Sequence, residues 1–283
     1  MAKKTRQILR RIQNVKHVRQ ITKAMYAIAA TQVIQRKRAL LSARPFGEES
    51  GKTLAELWSA VRAQGGEHPW FAPSGRPGAA LLVVNSDRGL CGRYVGDVNR
   101  AGEAFARERD GVRILAGGDK AIRFFRTRPW PVVAEYRHAY ERPDLAVAGR
   151  IAADLVAQYE EVGEVWAVYM QFRGELVQRV RVERLLPFEL PEARAEDLIH
   201  EPALPLLLDH AARLHLLGKV LTILLEAKAS EQAIRRQTMK AATDNADELI
   251  EKLTLLYNKA RQHGITAELA DIMGGAEALR EGR

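Results

Sequence analysis

Residues 239–262 read MKAATDNADELIEKLTLLYNKARQ, and Met239, Ala242, Ala246, Leu249, Leu253, Leu256 and Ala260 recur along them in strict alternation of three and four. That spacing averages 3.5 residues and marks the seam of a coiled coil. No proline occurs from Leu206 onward, and only Gly218 and Gly264 precede the Gly274–Gly275 pair. The pattern predicts a helix of roughly 70 residues, about 105 Å long at 1.5 Å per residue. A compact domain of this mass has no room for such an element in its core. The helix is expected to project and to need a partner.

The other end of the chain offers one. No glycine or proline interrupts residues 1–44, and Ile8, Ile12, Val15, Val18, Ile21, Met25 and Ile28 recur at three- and four-residue steps. Ala24, Ala27, Ala29 and Ala30 are small enough for two backbones to approach closely. We read one intramolecular pair, antiparallel because a domain separates its two arms. Two independent amphipathic helices on ordinary cores, or a seam between two chains, are the alternatives.

Composition bounds the rest. The 283 residues are 47% apolar and 6% aromatic, enough for one medium domain with extended helices. Cys91 is the single cysteine, so no intrachain disulfide is possible and a reducing compartment fits. No run of about 18 apolar residues exists, which argues against a membrane span. The basic, acid-free beginning is read as a working helix and not as a targeting segment, because its apolar period continues without a cleavage-like break. Twelve lysines and arginines precede the first acid, Glu48, so most of the formal charge of +9 is N-terminal. Such a face fits an acidic protein surface, an anionic membrane or nucleic acid phosphates. No aromatic residue precedes Tyr26, which weakens the nucleic-acid reading.

Between the helices the period changes. Residues 79–87 (AALLVVNSD) read as a buried strand, and residues 112–118 (VRILAGG) repeat the strand-then-glycine form. Strands are expected also at 132–136, 165–172 and 177–185, with helices after the first glycine turn, over DKAIRFFRT and at 145–159. Alternation of this kind implies an α/β domain with a partly parallel sheet, closed by the proline-rich EPALP at 201–205.

Catalytic chemistry finds little footing. SDRGLCGRY at 86–94 follows a strand, where open α/β sheets often bind ligands, yet it is neither G-x-G-x-x-G nor a P-loop. Cys91 is a candidate nucleophile of a small α/β enzyme, but no base stands beside it in sequence, and a structural turn is the better reading. The seven histidines show no metal-ligand spacing. We expect no catalytic site, no cofactor and no metal.

ITKAM at 21–25, SDRGLCG at 86–92, ASEQ at 229–232, MKAATDNA and LYNKARQ in the last helix, and ITAELADIMGGAEAL at 265–279 together resemble, in order and spacing over the whole chain, the gamma subunit of bacterial F-type ATP synthases. The resemblance implies a long antiparallel terminal coiled coil (1–60 with 206–283) and an inserted Rossmann-like α/β foot domain (76–200). It implies a rotor shaft coupling the c-ring to a hexamer of three alpha and three beta subunits, with epsilon at the foot. Nucleotide chemistry then lies on beta, and the chain would sit peripherally on the cytoplasmic face of the cell membrane, touching it only through the membrane sector. Met25, Arg235, Arg261, Gln262 and Thr266 match positions that meet beta or affect coupling. Asp87, Arg88, Gly89, Cys91 and Gly92 form the family's motif turn. His215, Gly218 and Lys219 fall in the region facing the c-ring and depart from the family's usual Tyr, Ser and Gln, as Tyr26 and Gln32 depart after ITKAM. The rival from another class is a coiled-coil nucleic-acid-binding structural protein.

Overall fold

The computed structural model describes residues 2–191, 193 and 201–281. The expected end of the α/β domain at 194–200, and residues 1, 282 and 283 of the expected terminal helices, lie outside the described residues. Two compact units emerge: Met1–Ile28 with Arg236–Arg283, and Ala29–Arg235. Helix α1 (Ala2–Ala63) and helix α5 (Leu204–Glu281) each contribute to both.

In the larger unit the chain runs β1 (Ala79–Val84), α2 (Tyr94–Arg107), β2 (Val112–Gly117), α3 (Asp119–Phe125), β3 (Val132–Tyr136), α4 (Leu145–Tyr159), β4 (Glu164–Phe172) and β5 (Gln178–Leu186). The sheet order is β3-β2-β1-β4-β5. β1 to β4 are parallel, and β5 returns antiparallel along β4. The first two crossovers step the sheet one way, and the third carries the chain back to the other side of β1. Because crossovers keep one hand, that reversal puts α4 on the opposite face from α2 and α3.

Strand parity divides the core accordingly. Leu81 and Val83 of β1 join Tyr94, Val98 and Phe105 of α2 and Ile122 and Phe125 of α3. Ala80, Leu82 and Val84 face Ile151 and Leu155 of α4, Leu54 and Val61 of α1, and Leu208 to Ile223 of α5. β1 is buried along its whole length, which is why its sequence is a continuous apolar run. Asp144 caps α4 by accepting from the Val147 backbone N–H at 2.8 Å.

α1 runs unbroken through Pro45, Gly47 and Gly51 to Ala63. Proline removes one helical hydrogen bond and strains the preceding turn. Packing overrides that penalty, because Leu40, Leu54, Leu57 and Val61 are all buried on either side of it. A third cluster in this unit sets Val33 and Leu40 of α1 against Leu225, Ala229 and Ala233 of α5 and Phe172 of β4.

In the smaller unit the two helices meet side by side. Ile8 and Ile12 pack on Leu253, with Val15, Tyr257 and Ala260 flanking them. Farther along, Arg19 pairs with Asp247, and Thr243 donates to the Thr22 hydroxyl at 2.8 Å. Rising numbers on α1 meet falling numbers on α5.

These contacts correct both expected stripes. On α5 Met239, Ala246 and Leu253 are buried, but Leu249 and Leu256 are 38% and 50% exposed. Ala242 and Ala260 are half-buried as expected, beside Thr243, Ile250 and Tyr257, so from Ala246 the steps run four then three instead of three then four. On α1 the stripe holds at Ile8, Ile12 and Val15, then passes through Arg19 and Thr22, leaving Val18, Ile21 and Ile28 exposed. Both polar residues bond across to the partner helix, which lets them occupy inward positions that a hydropathy pattern assigns to apolar neighbours.

Candidate functional site: the glycine turn and its buried ion network

The turn after β1 stands at the carboxyl edge of the sheet, beside the β1/β4 position where strand order reverses. Leu90 and Gly92 take left-handed backbone angles there, with φ of 59° and 53°. Asn85 anchors the turn from below, its amide donating to Asn99 Oδ1 at 2.8 Å and to the Val95 carbonyl at 3.1 Å. Gly118 is required beside it: at φ 86° a Cβ would fall 2.1 Å from the Asn85 carbonyl oxygen. Asp87 Oδ1 accepts from the backbone N–H groups of Asp119 and His138, at 3.0 and 3.1 Å, and so ties the ends of β1, β2 and β3 together.

Cys91 is 1% exposed. Its sulfur lies 3.7 Å from both the Ser86 hydroxyl and the Arg88 carbonyl oxygen. Burial pushes the thiol pKa up, against the pull of Ser86 and Arg235. A buried thiol held in its protonated form is a poor nucleophile, which removes the physical basis of the enzyme reading.

One of the predicted residues meets this turn from α5. Arg235 is buried, and its guanidinium donates to Glu231 Oε1 at 2.5 Å and to the Gly89 carbonyl at 3.3 Å. Burial works against that charge, yet Glu231 raises the guanidinium pKa above its usual value. Glu231, 2% exposed, also accepts on Oε2 from Lys228 Nζ and the Tyr140 hydroxyl, each at 3.1 Å. The Lys228 ammonium sits 5.1 Å from the Tyr140 ring centroid. Tyr94 donates to the Ala227 carbonyl at 3.2 Å, and burial raises the pKa of both tyrosines well above the usual value. Sequence reasoning quoted ASEQ without giving Glu231 a role and missed Lys228, Tyr94 and Tyr140. The legible signal was Lys228, Glu231 and Arg235 at steps of three and four inside an otherwise small and apolar run.

The other predicted residues lie apart. His215 is buried, with Nδ1 hydrogen-bonded to the Ser50 hydroxyl at 3.0 Å. Burial, reinforced by Lys219, pushes its pKa down to about 4. Lys219 Nζ donates to Glu183 at 2.5 Å. Gly218 admits the Phe46 ring, since a Cβ would stand 2.7 Å from Phe46 Cε1. In the smaller unit Met25 is half-buried, while Arg261, Gln262 and Thr266 are exposed. Arg261 lines a shallow groove of about 320 Å³ with Arg6, Leu9, Tyr257, Ile265 and Glu268.

Asp87, His138 and Glu141 are the one group of possible metal donors among the described residues, their ligand atoms within 4.8 Å of one another. Part of this set is engaged: Arg88 pairs with Glu141 at 3.3 Å, and Asp87 Oδ1 holds two backbone N–H groups, while Asp87 Oδ2 has no hydrogen-bond partner. No described helix is long and apolar enough to cross a membrane.

The model of the ATP synthase family matches residues 4–279. The ATP synthase gamma chain of Salinibacter ruber is 36% identical, covering 98% of each chain. The chain belongs to the ATP synthase gamma chain family. The gamma chain of Halothermothrix orenii is 35% identical over 97% of this chain and 99% of its own. Solved structures share the fold: a chain of the Euglena gracilis mitochondrial ATP synthase assembly with F1 and c-ring aligns at a TM-score of 0.67 and 17% identity, covering 100% of this chain and 96% of its own. A chain of the Tetrahymena thermophila central stalk and c-ring aligns at 0.65 and 23% identity, over 78% and 99%. The family accounts for the absence of a phosphate loop from the sequence, because the chain is a non-catalytic subunit. The nucleic-acid reading of the basic helix finds no support among these relatives.

Proposed function

We propose that this chain is the central rotor shaft of an F-type ATP synthase, coupling ion-driven rotation of a c-ring to ATP synthesis or hydrolysis in a hexamer of three alpha and three beta subunits. The α1 and α5 segments that meet in the smaller unit form its antiparallel coiled coil, and the α/β sheet unit forms its foot, against epsilon and the c-ring. A shaft needs stiffness, which a paired seam supplies and a lone helix lacks. It also needs asymmetry, so that each beta subunit meets a different face.

One observation carries the reading beyond family membership. The helices fill their mutual seam and still expose Val18, Ile21, Ile28, Leu256, Ile265 and Ile272, each at least half exposed. Exposed apolar residues in such number mark a surface that another protein covers. The basic residues of α1 on the same helix suit acidic beta segments. Arg261, Gln262 and Thr266 are proposed as contacts with a beta loop and Met25 with the beta lever, all through side chains that the chain's own packing leaves accessible. Arg235 acts on coupling from inside, through the turn. His215, Gly218 and Lys219 shape the foot facing the ring, and the complex lies peripherally on the cytoplasmic membrane face.

Co-purification with the host's alpha and beta subunits tests this. A complex of three, three and one that hydrolyses ATP supports the shaft. A chain that stays apart from the hexamer and binds DNA with a steep salt dependence refutes it.

A further inference from the structure

Glu231 concentrates more polar contacts than its position on a mostly apolar helix face calls for. Oε2 takes the Tyr140 hydroxyl and the Lys228 ammonium, Oε1 takes Arg235 at 2.5 Å and the Gln232 amide at 3.4 Å, and the whole residue is 2% exposed. Tyr140 belongs to the loop between β3 and α4, and Gly89, which accepts from Arg235, belongs to the loop between β1 and α2. One turn of α5 is therefore bound to two separate loops at the carboxyl edge of the sheet.

Stability is a poor explanation for this arrangement. A buried ion pair contributes little net free energy compared with apolar residues of similar volume, although removing one member leaves a charge stranded. Register is a better one. Apolar contacts are non-directional: they oppose separation of helix and sheet but only weakly oppose sliding or rolling. Beside Glu231 on α5 the apolar neighbours are Ala227 and Ile234, both buried, while Ala229 and Ala233 turn to the other side and pack against α1; a small alanine and one isoleucine interlock weakly with the sheet by themselves. A slip of one turn would bring Ala227 or Arg235 opposite Tyr140. The tyrosine hydroxyl and the Glu231 carboxylate would then both be buried without partners, an arrangement that low dielectric makes costly.

Resting on the rotor reading above, we propose that Glu231 is a positioning residue for torque: with Tyr140, Lys228 and Arg235 it locks the rotational and axial register of α5 on the sheet, so that load applied to the foot turns the helix instead of slipping past it. Gly89 serves as the far anchor of this lock through its carbonyl oxygen.

The test uses the assembled ATP synthase in inverted membrane vesicles, measuring ATP hydrolysis and ATP-driven ion pumping in parallel, with thermal melting of the complex as a control. Glu231→Gln and Tyr140→Phe should each leave hydrolysis largely intact while ions pumped per ATP fall several-fold, more in the first than in the second. The triple variant K228M/E231M/R235M preserves packing volume and removes the buried charges. It should melt close to the wild type and still lose pumping per ATP, an outcome a merely stabilising network would not produce. Wild-type pumping per ATP in the triple variant overturns the proposal. So does a loss of melting temperature in E231Q and Y140F with no change in pumping per ATP. A wild-type chain that does not join a pumping complex at all removes the rotor reading itself, and the lock with it.

Discussion

Leu253→Ala should open the terminal helix pair where Leu249→Ala does not, although the two leucines stand one turn apart on the same helix. Leu253 is 7% exposed and seats on Ile8 and Ile12 of α1, with Tyr257 and Ala260 closing the sides. Deleting its isobutyl atoms removes apolar burial and leaves a cavity that two stiff helices cannot fully collapse, a loss of about 2 to 3 kcal/mol. Leu249 is 38% exposed, so its truncation should stay below about 1 kcal/mol. Hydrogen exchange of peptides covering residues 243–260 reads the difference locally. A loss of about 2 kcal/mol raises exchange through local opening roughly thirty-fold, against a few-fold at most for Leu249→Ala. Equal acceleration in the two variants, or a larger effect at Leu249, would refute the four-then-three seam and restore the stripe expected from hydropathy alone.

Two further outcomes concern the foot. Gly218→Ala drives a methyl to 2.7 Å from Phe46, so denaturant unfolding should show a loss of about 1 to 3 kcal/mol, recovered in large part by the double variant with Phe46→Leu. His215 titrates near 6.5 when unfolded and near 4 when folded; because the unfolded chain binds the proton first, acid favours unfolding through this site. Stability should fall by about 2 kcal/mol from pH 7 to pH 5, and thermal melts of His215→Gln should lack that component.

The secondary structure of the α/β unit was legible because each strand carries its own period and its own stop. β3 and α4 fall at 132–136 and 145–159 as expected, and β1, β2, β4 and β5 differ from expectation by a few residues at their ends. α1 ends at Ala63, near the expected 60; the proline and glycine signals at 45, 47 and 51 are local, and the packing of Leu54, Leu57 and Val61 that carries the helix through them is not. Of the candidate site, the motif turn and Arg235 were visible as separate segments. That Gly89 and Arg235, 146 positions apart in sequence, share a hydrogen bond was not.

The sequence alone determined that two long helices end the chain, that an α/β sheet lies between them, that no nucleotide-binding loop is present, and, through several motifs in order, the family. These are properties of composition and short-range period, which every residue carries with it. Tertiary structure decided which face of each helix turns inward. Hydropathy ranks Leu249 above Thr243 and Val18 above Arg19, but burial depends on what stands opposite. Thr22 and Asp247 supply hydrogen-bonding partners to Thr243 and Arg19, so the polar residues lie within the pairing and the leucine and valine are left exposed.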